Sequence, residues 1–461
     1  MTRTSARSAV TEIQRRIGSS KVLTSPEILT CYAFDATNLR YLPLAVAFPE
    51  SVEDVKAIAA VCADAGLPLV PRGAGTGFAG GTLPLQGGVV VSTERLSRIV
   101  SVDREQRRAV VQPGVVNAAL QSEVGKVGLM FPPDPSSLDV CTLGGNIAQD
   151  AGGPRALKYG VTRDYVVGVE AVLYGGGVVG REVLAGGAWR PASSLMVGSE
   201  GTLGIITQAC LRLAPRPAAF ATALAFFRTA RDAATAVTRI FERGVLPAAV
   251  ELMDAETLAC IAGFVKVASP QGTGCSLLVE TDGDEDEARE TMASVGEALA
   301  GAGPLEVRTA GSERERQDLW RMRRAISPSL ARMAPWKINE DVCVPRSKLP
   351  LLVDAVVELG ARYDLKVPTF GHAGDGNLHV NVMLDRRDRD QVRRSEALVE
   401  ALFRATLDLG GTISGEHGIG YTKMRYLPDQ LGDELVAIQR RVKRAFDPAG
   451  LLNPGKVLSE V

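Results

Sequence analysis

Apolar residues change their spacing part-way along the chain. In SVEDVKAIAAVCADAG (51–66), Val55, Ile58, Ala59 and Cys62 recur at i, i+3, i+4 and i+7 behind Ser51, which predicts a helix capped by that serine. LPLVPRG (67–73) and GGVVVS (87–92) are short β-rich runs around a glycine-rich loop. RAVVQPG, VVGVEAVLY and GTLGIITQACLRL carry the strand-like texture on to residue 213. Past APRPAAF (214–220), a candidate boundary, long amphipathic patterns predict helices over 228–243, 284–301, 313–333, 347–363 and 388–408. Between them lie strand-like ATALAFF, CSLLVET, LEVRTA, NEDVCVP and LHVNVML. This alternation predicts an α+β layer, helices on one face of an antiparallel sheet.

Composition adds mainly exclusions. A chain of 461 residues exceeds one comfortable core, so two domains, or one with a large insertion, are expected. The balance of 52 basic and 53 acidic residues gives no basis for a nucleic-acid partner, and RERQDLWRMRR (314–324) reads as a solvated helix face. Seven scattered cysteines with no C-x-x-C spacing exclude a cysteine-held zinc or iron–sulfur cluster and predict a reduced, intracellular protein. The first twenty residues lack an apolar h-region and read as the start of a helix rather than a secretory signal or transit peptide. No apolar run of about 18 residues occurs, so membrane association is expected only peripherally or through a partner.

Two regions carry candidate chemistry. PRGAGTGFAGGTLP (71–84) contains Gly75-x-Gly77-x-x-Gly80, yet Pro84 and a strand follow where a dinucleotide fingerprint needs a helix. The loop therefore joins two strands, and its open backbone amides form an anion nest with Arg72 at the entrance. PPDPSSLDVCTLGGNIAQDAGG (132–153) and GSEGTLGIIT (198–207) are further small-residue segments, and the three together point to a long, extended cofactor.

The second region holds all three histidines, His372, His379 and His417. LHVNV alternates as a strand, which sets His379 and Asn381 on one face, and the glycine-rich turn before it folds His372 back toward them. Glu416 and His417 add a carboxylate and an imidazole. Two imidazoles and a carboxylate suit a divalent transition ion with open positions; the competing reading makes each histidine a separate hydrogen-bonded core residue.

These segments, with LKYGVTRDYV, GEHGIG and FDPAGLLNPGKV, resemble the FAD-linked oxidases of the vanillyl-alcohol oxidase/p-cresol methylhydroxylase superfamily. The resemblance spans nearly the whole chain, in order, within the branch of glycolate oxidase catalytic subunits, D-lactate dehydrogenases and D-2-hydroxyglutarate dehydrogenases. It implies an α+β fold: a two-lobed FAD-binding domain (1–215), a cap domain of antiparallel sheet covered by helices (216–415), and a C-terminal segment (416–461) that returns to the FAD domain.

The resemblance also implies roles. FAD contacts fall on Arg72, Gly73, Ala74, Gly75, Thr76, Gly77, Phe78, Ala79, Pro133, Asp134, Ser137, Gly144, Asn146 and Ile206. His372, His379 and Glu416 match metal ligands, with zinc first and manganese or iron as alternatives. Arg323 matches the arginine that holds the substrate carboxylate, with Arg321 and Arg324 close by. Ser327, Lys337 and Asn381 match further substrate contacts, and Ser327 stands where a relative has threonine. His417 matches the catalytic base. No histidine precedes residue 372, which excludes a histidyl flavin in the FAD domain, and Cys141 reads as a structural thiol rather than a flavin attachment.

The implied activity is oxidation of an (R)-2-hydroxy acid, D-lactate or glycolate first, to the 2-oxo acid. D-2-hydroxyglutarate oxidation, a metal-dependent hydrolase and a non-catalytic FAD subunit are the rivals. Electrons are expected to leave to a separate iron–sulfur subunit, cytochrome, quinone or flavoprotein. The protein is expected in the cytoplasm, at the inner membrane only through a partner, and a homodimer is an expected assembly.

Overall fold

The helix expected near residue 55 forms as Val52–Asp64, and the Ser51 hydroxyl accepts the Asp54 amide at its N-terminus. Val55, Ile58, Ala59 and Cys62 are buried against Ala45, Ala47, Leu69, Val89 and Val91. Those residues belong to a four-stranded sheet ordered Val22–Leu23, Ala45–Ala47, Val89–Ser92, Leu69–Arg72. The last two strands run parallel, so the glycine loop between them connects strand to strand as expected.

This computed structural model describes residues 3–180, 194–262 and 268–458. The chain divides into two units: unit 1 is Met1–Gly152, Val161–Arg216 and Glu416–Val461, and unit 2 is Gly153–Gly160 and Pro217–Gly415. Unit 1 adds a second, antiparallel sheet of Ile99–Asp103, Arg108–Val111, Ile205–Arg212, Val166–Val172 and Val178–Val179. The chain end returns to the first sheet: Leu452 bridges Leu69, whose amide donates to the Leu451 carbonyl and whose carbonyl accepts from Asn453.

Unit 2 is built on a seven-stranded antiparallel sheet. Its order is Glu306–Thr309, Ala219–Phe227, Cys275–Gly283, Ala249–Asp254, Thr369–His372, Asn377–Leu384, Trp336–Cys343. Ala230–Glu242, Glu285–Gly301, Leu349–Tyr363 and Arg389–Asp408 form a continuous row of long helices. The helical pattern over 313–333 splits into Glu313–Arg324 and Ile326–Leu330. Pro328 explains the break, because its ring opposes the Arg324 carbonyl and it has no N–H to donate. These two helices and Ala255–Ile261 pack a further apolar cluster around Met253, Leu278 and Phe370, so the sheet carries helices on both faces rather than one. Gly153–Gly160 is fixed to unit 2 by Asp282, which accepts from Lys158 Nζ and from the Tyr159 hydroxyl at 2.7 Å each.

Candidate active site

Cross-strand register gathers the polar residues of unit 2. Glu251 stands opposite His372, Phe370 opposite His379, Asp341 opposite His379, and Asn339 opposite Asn381. Directly opposed antiparallel residues share a face, and alternation adds Lys337 to it. His372 ends the strand Thr369–His372, and the glycine-rich turn that follows it folds it back beside His379. Gly371 makes this possible: a Cβ there would sit 2.5 Å from the Asn377 carbonyl oxygen and 2.8 Å from Leu378 Cα.

The two imidazoles face one another, Nε2 to Nε2, at 3.4 Å. That spacing is long for an N–H···N bond but close to the roughly 3.3 Å between two nitrogens that share a tetrahedral zinc at about 2.0–2.1 Å each. Nitrogens of His372 and His379 and a carboxylate oxygen of Glu416 all lie within 4.8 Å of one another. This donor set fits a divalent transition ion. The His372 Nδ1 lies 2.7 Å from Glu251 Oε1, the arrangement that orients a ligating imidazole through its far nitrogen.

Arg323 is 2% exposed, on the helix that composition alone made a solvated face. Its Nε donates to Glu251 Oε2 at 2.6 Å and its guanidinium lies 4.7 Å from the centre of the Phe370 ring. The Nη2 is buried and has no hydrogen-bond partner among the described residues, an unmet donor suited to a carboxylate. Burial pushes the Glu251 carboxyl up, but His372 and Arg323 outweigh it and hold it below the usual range.

Ser327, four residues after Arg323, accepts from Lys337 Nζ at 3.2 Å. Burial pushes the Lys337 ammonium down to about 8. Asn381 is fully buried: its amide donates to the Pro368 and His379 carbonyls and accepts from Asn339. That leaves it bracing the strand more than facing outward.

Two further carboxylates brace the segment that carries Glu416 and His417. Asp341 accepts the Gly415 amide at 2.7 Å. In unit 1, Glu200 accepts the amides of Ile419 and Gly420 at 2.7 and 2.8 Å. Burial pushes Glu200 up to about 7 against those two bonds and the nearby Lys423 and Lys456. Phe78, from the glycine loop, lies 5.1 Å from the His417 ring, centre to centre.

The three small-residue segments of unit 1 converge. A Cβ on Gly73 would strike the Thr142 hydroxyl, and one on Gly144 would sit 3.0 Å from the Pro113 backbone. The Glu200 amide donates to Ala148, and Gly201 lies against Pro71. Arg72 closes the loop from beneath: Nη1 donates to the Phe34 carbonyl at 2.8 Å and to the Thr82 hydroxyl at 3.2 Å, and Gly75 at φ +70° passes over its guanidinium. The Asn146 Nδ2 is buried with no protein partner among the described residues, an orphan that a bound cofactor would satisfy. The Pro133 carbonyl accepts from Asn117, Ser137 and Asp134 are half-buried, and Ile206 lies in the strand Ile205–Arg212.

Comparison with known proteins agrees with this cradle. The family described as FAD linked oxidases, C-terminal domain, matches residues 216–457, and the family described as FAD binding domain matches residues 43–180. The glycolate oxidase subunit GlcD of Bacillus subtilis is 40% identical over 433 residues, 93% of this chain and 92% of that one. The chain belongs to the FAD-linked oxidases.

This FAD-linked oxidase is also 33% identical to a D-lactate dehydrogenase of Anaerostipes hadrus over 455 residues, 96% of each chain. In fold it is similar to p-cresol methylhydroxylase with substrate bound, with a TM-score of 0.80 at 16% identity, covering 100% of this chain and 98% of that one. The oxidase is thus an FAD-dependent oxidoreductase with the α+β architecture expected from its motifs. None of its described helices is long and apolar enough to cross a membrane.

Proposed function

We propose that this oxidase converts a 2-hydroxy acid, D-lactate or glycolate first, to the corresponding 2-oxo acid. The observation that carries the reading is the buried Arg323 Nη2, which has no hydrogen-bond partner among the described residues, on a guanidinium whose Nε is held by the carboxylate that also holds the imidazole of His372. When bound, FAD supplies the hydride acceptor and a divalent ion, zinc first, supplies a Lewis acid for the hydroxyl oxygen.

The protein's own residues orient and deprotonate. Arg323 grips the substrate carboxylate through its Nη edge, and Lys337 adds a second positive charge, steadied by Ser327. Asn381 fixes the strand that presents His379. His372, His379 and Glu416 hold the ion. His417 takes the hydroxyl proton while the hydrogen on C2 leaves with its electron pair, so the alcohol loses two electrons and two hydrogens and becomes a carbonyl.

Arg72 to Ala79, Pro133, Asp134, Ser137, Gly144, Asn146 and Ile206 hold FAD without a covalent bond. The absence of histidine before residue 372 supports this, as does Cys141, whose thiol burial pushes up and so keeps protonated. The relative from B. subtilis is named as a subunit, which supports delivery of electrons to a separate iron–sulfur subunit, cytochrome, quinone or flavoprotein. The domains at work are FAD-binding (1–215), substrate and ion (216–415) and C-terminal (416–461). We place the enzyme in the cytoplasm, at the inner membrane through its acceptor, and as a homodimer.

An anaerobic screen of both enantiomers of several 2-hydroxy acids, read by flavin bleaching, tests this. D-lactate or glycolate should bleach the flavin and His417→Ala should not bleach with either. Bleaching by D-2-hydroxyglutarate alone would shift the substrate, and undiminished turnover in His417→Ala would remove the base.

A further inference from the structure

Glu251 lies in none of the segments that carry the family's motifs, and the strand Ala249–Asp254 that bears it gave no sequence signal. It is fully buried. Its two oxygens hold different functional groups: Oε1 meets His372 Nδ1 at 2.7 Å, and Oε2 accepts from Arg323 Nε at 2.6 Å. Phe370 lies between the two groups, its ring centre 4.7 Å from the Arg323 guanidinium and 5.2 Å from the His379 ring centre.

A carboxylate that receives Nδ1–H leaves the lone pair of His372 on Nε2, the atom that faces His379. The same carboxylate, by fixing Nε of Arg323, immobilises the guanidinium and leaves its Nη edge for an anion. We infer that Glu251 is a positioning residue that couples ion binding to hydroxy-acid binding, one carboxylate setting both the ion-facing imidazole and the carboxylate-gripping arginine. The inference rests on the reading that His372 ligates the ion and Arg323 grips the substrate.

Glutamine in its place has the same shape but one acceptor and one donor, so it cannot accept from both partners. The test uses the full-length, FAD-loaded protein, with zinc content by elemental analysis, zinc affinity by competition with a chromophoric chelator, and KM for whichever of D-lactate or glycolate bleaches the wild type. Glu251→Gln should lower zinc affinity by about 10–100-fold. At saturating zinc it should also raise KM by about tenfold or more, with FAD content unchanged.

Arg323→Leu alone should leave zinc affinity undiminished. Glu251→Gln/Arg323→Leu, which removes both buried charges together and so spares the fold an unpaired arginine, should show the zinc loss of Glu251→Gln and no further rise in KM over Arg323→Leu. Wild-type zinc affinity in both Glu251 variants would overturn the inference, and so would a zinc loss with KM unchanged at saturating zinc. A wild-type protein that takes up no zinc, manganese or iron would overturn the metal reading itself, a failure visible before any variant is made.

Discussion

Lys337 offers a sharp test because its environment works against its own charge. Burial brings its ammonium down to about 8, which corresponds to roughly 3 kcal/mol of preference for the neutral amine relative to an exposed lysine. A charge-assisted bond from this ammonium to the substrate carboxylate is worth about 1.5–3 kcal/mol, or about 10–150-fold in kcat/KM. In the wild type kcat/KM for the hydroxy acid should therefore fall as pH rises through about 8, toward a tenfold loss per pH unit. Lys337→Met should lower kcat/KM at pH 7 by about 10–150-fold and abolish that descending limb.

The stability readout has the opposite sign. Because the folded pKa is depressed, the unfolded chain binds the extra proton between about 8 and the ordinary lysine value, so the wild type gains stability from this group across that window as pH rises. At pH 7 Lys337→Met should then be at least as stable as the wild type in thermal melts. A descending limb that persists near pH 8 in the variant, or an unchanged kcat/KM, would refute the assignment of Lys337 to the substrate.

Further outcomes follow from other groups. Glu200 binds its proton more tightly folded than unfolded, so it lowers stability as pH rises from its ordinary range to about 7; Glu200→Gln should flatten that part of a denaturation profile. Gly371→Ala forces a methyl against the Asn377 carbonyl and Leu378, and should destabilise unit 2 by about 1–3 kcal/mol in chemical denaturation while also weakening ion binding. Acid precipitation of the purified protein should release all the yellow flavin to the supernatant, and colour retained in the pellet would contradict non-covalent FAD.

The elements legible in the sequence are those with a local signal. Val55, Ile58, Ala59 and Cys62 announced their helix because a 3.6-residue period needs no distant partner, and alternation in LHVNV placed His379 and Asn381 on one face. The glycine loop was readable as a strand-to-strand connection because Pro84 and GGVVVS follow it.

What escaped is non-local. Glu251 sits in AAVELMD, where an acidic residue amid apolar ones gives no period. Its meaning comes from Arg323, 72 positions away, and His372, 121 positions away. Asp341 and Glu200 likewise gain their roles from the backbone amides of Gly415, Ile419 and Gly420. The arginine-rich helix misled in part for the same reason: four of its residues, Leu319, Trp320, Met322 and Arg323, are buried, and the charges of Arg316 and Arg323 are answered by Glu280 and Glu251 on separate strands.

The central claim is that FAD and an ion held by His372, His379 and Glu416 act together on a 2-hydroxy acid. Its most direct measurement is anaerobic flavin bleaching by D-lactate or glycolate in zinc-loaded and chelator-stripped protein of equal FAD content. The account predicts rapid bleaching in the loaded protein, loss of bleaching on stripping and recovery when zinc is restored. Bleaching at the same rate in the stripped protein would contradict it.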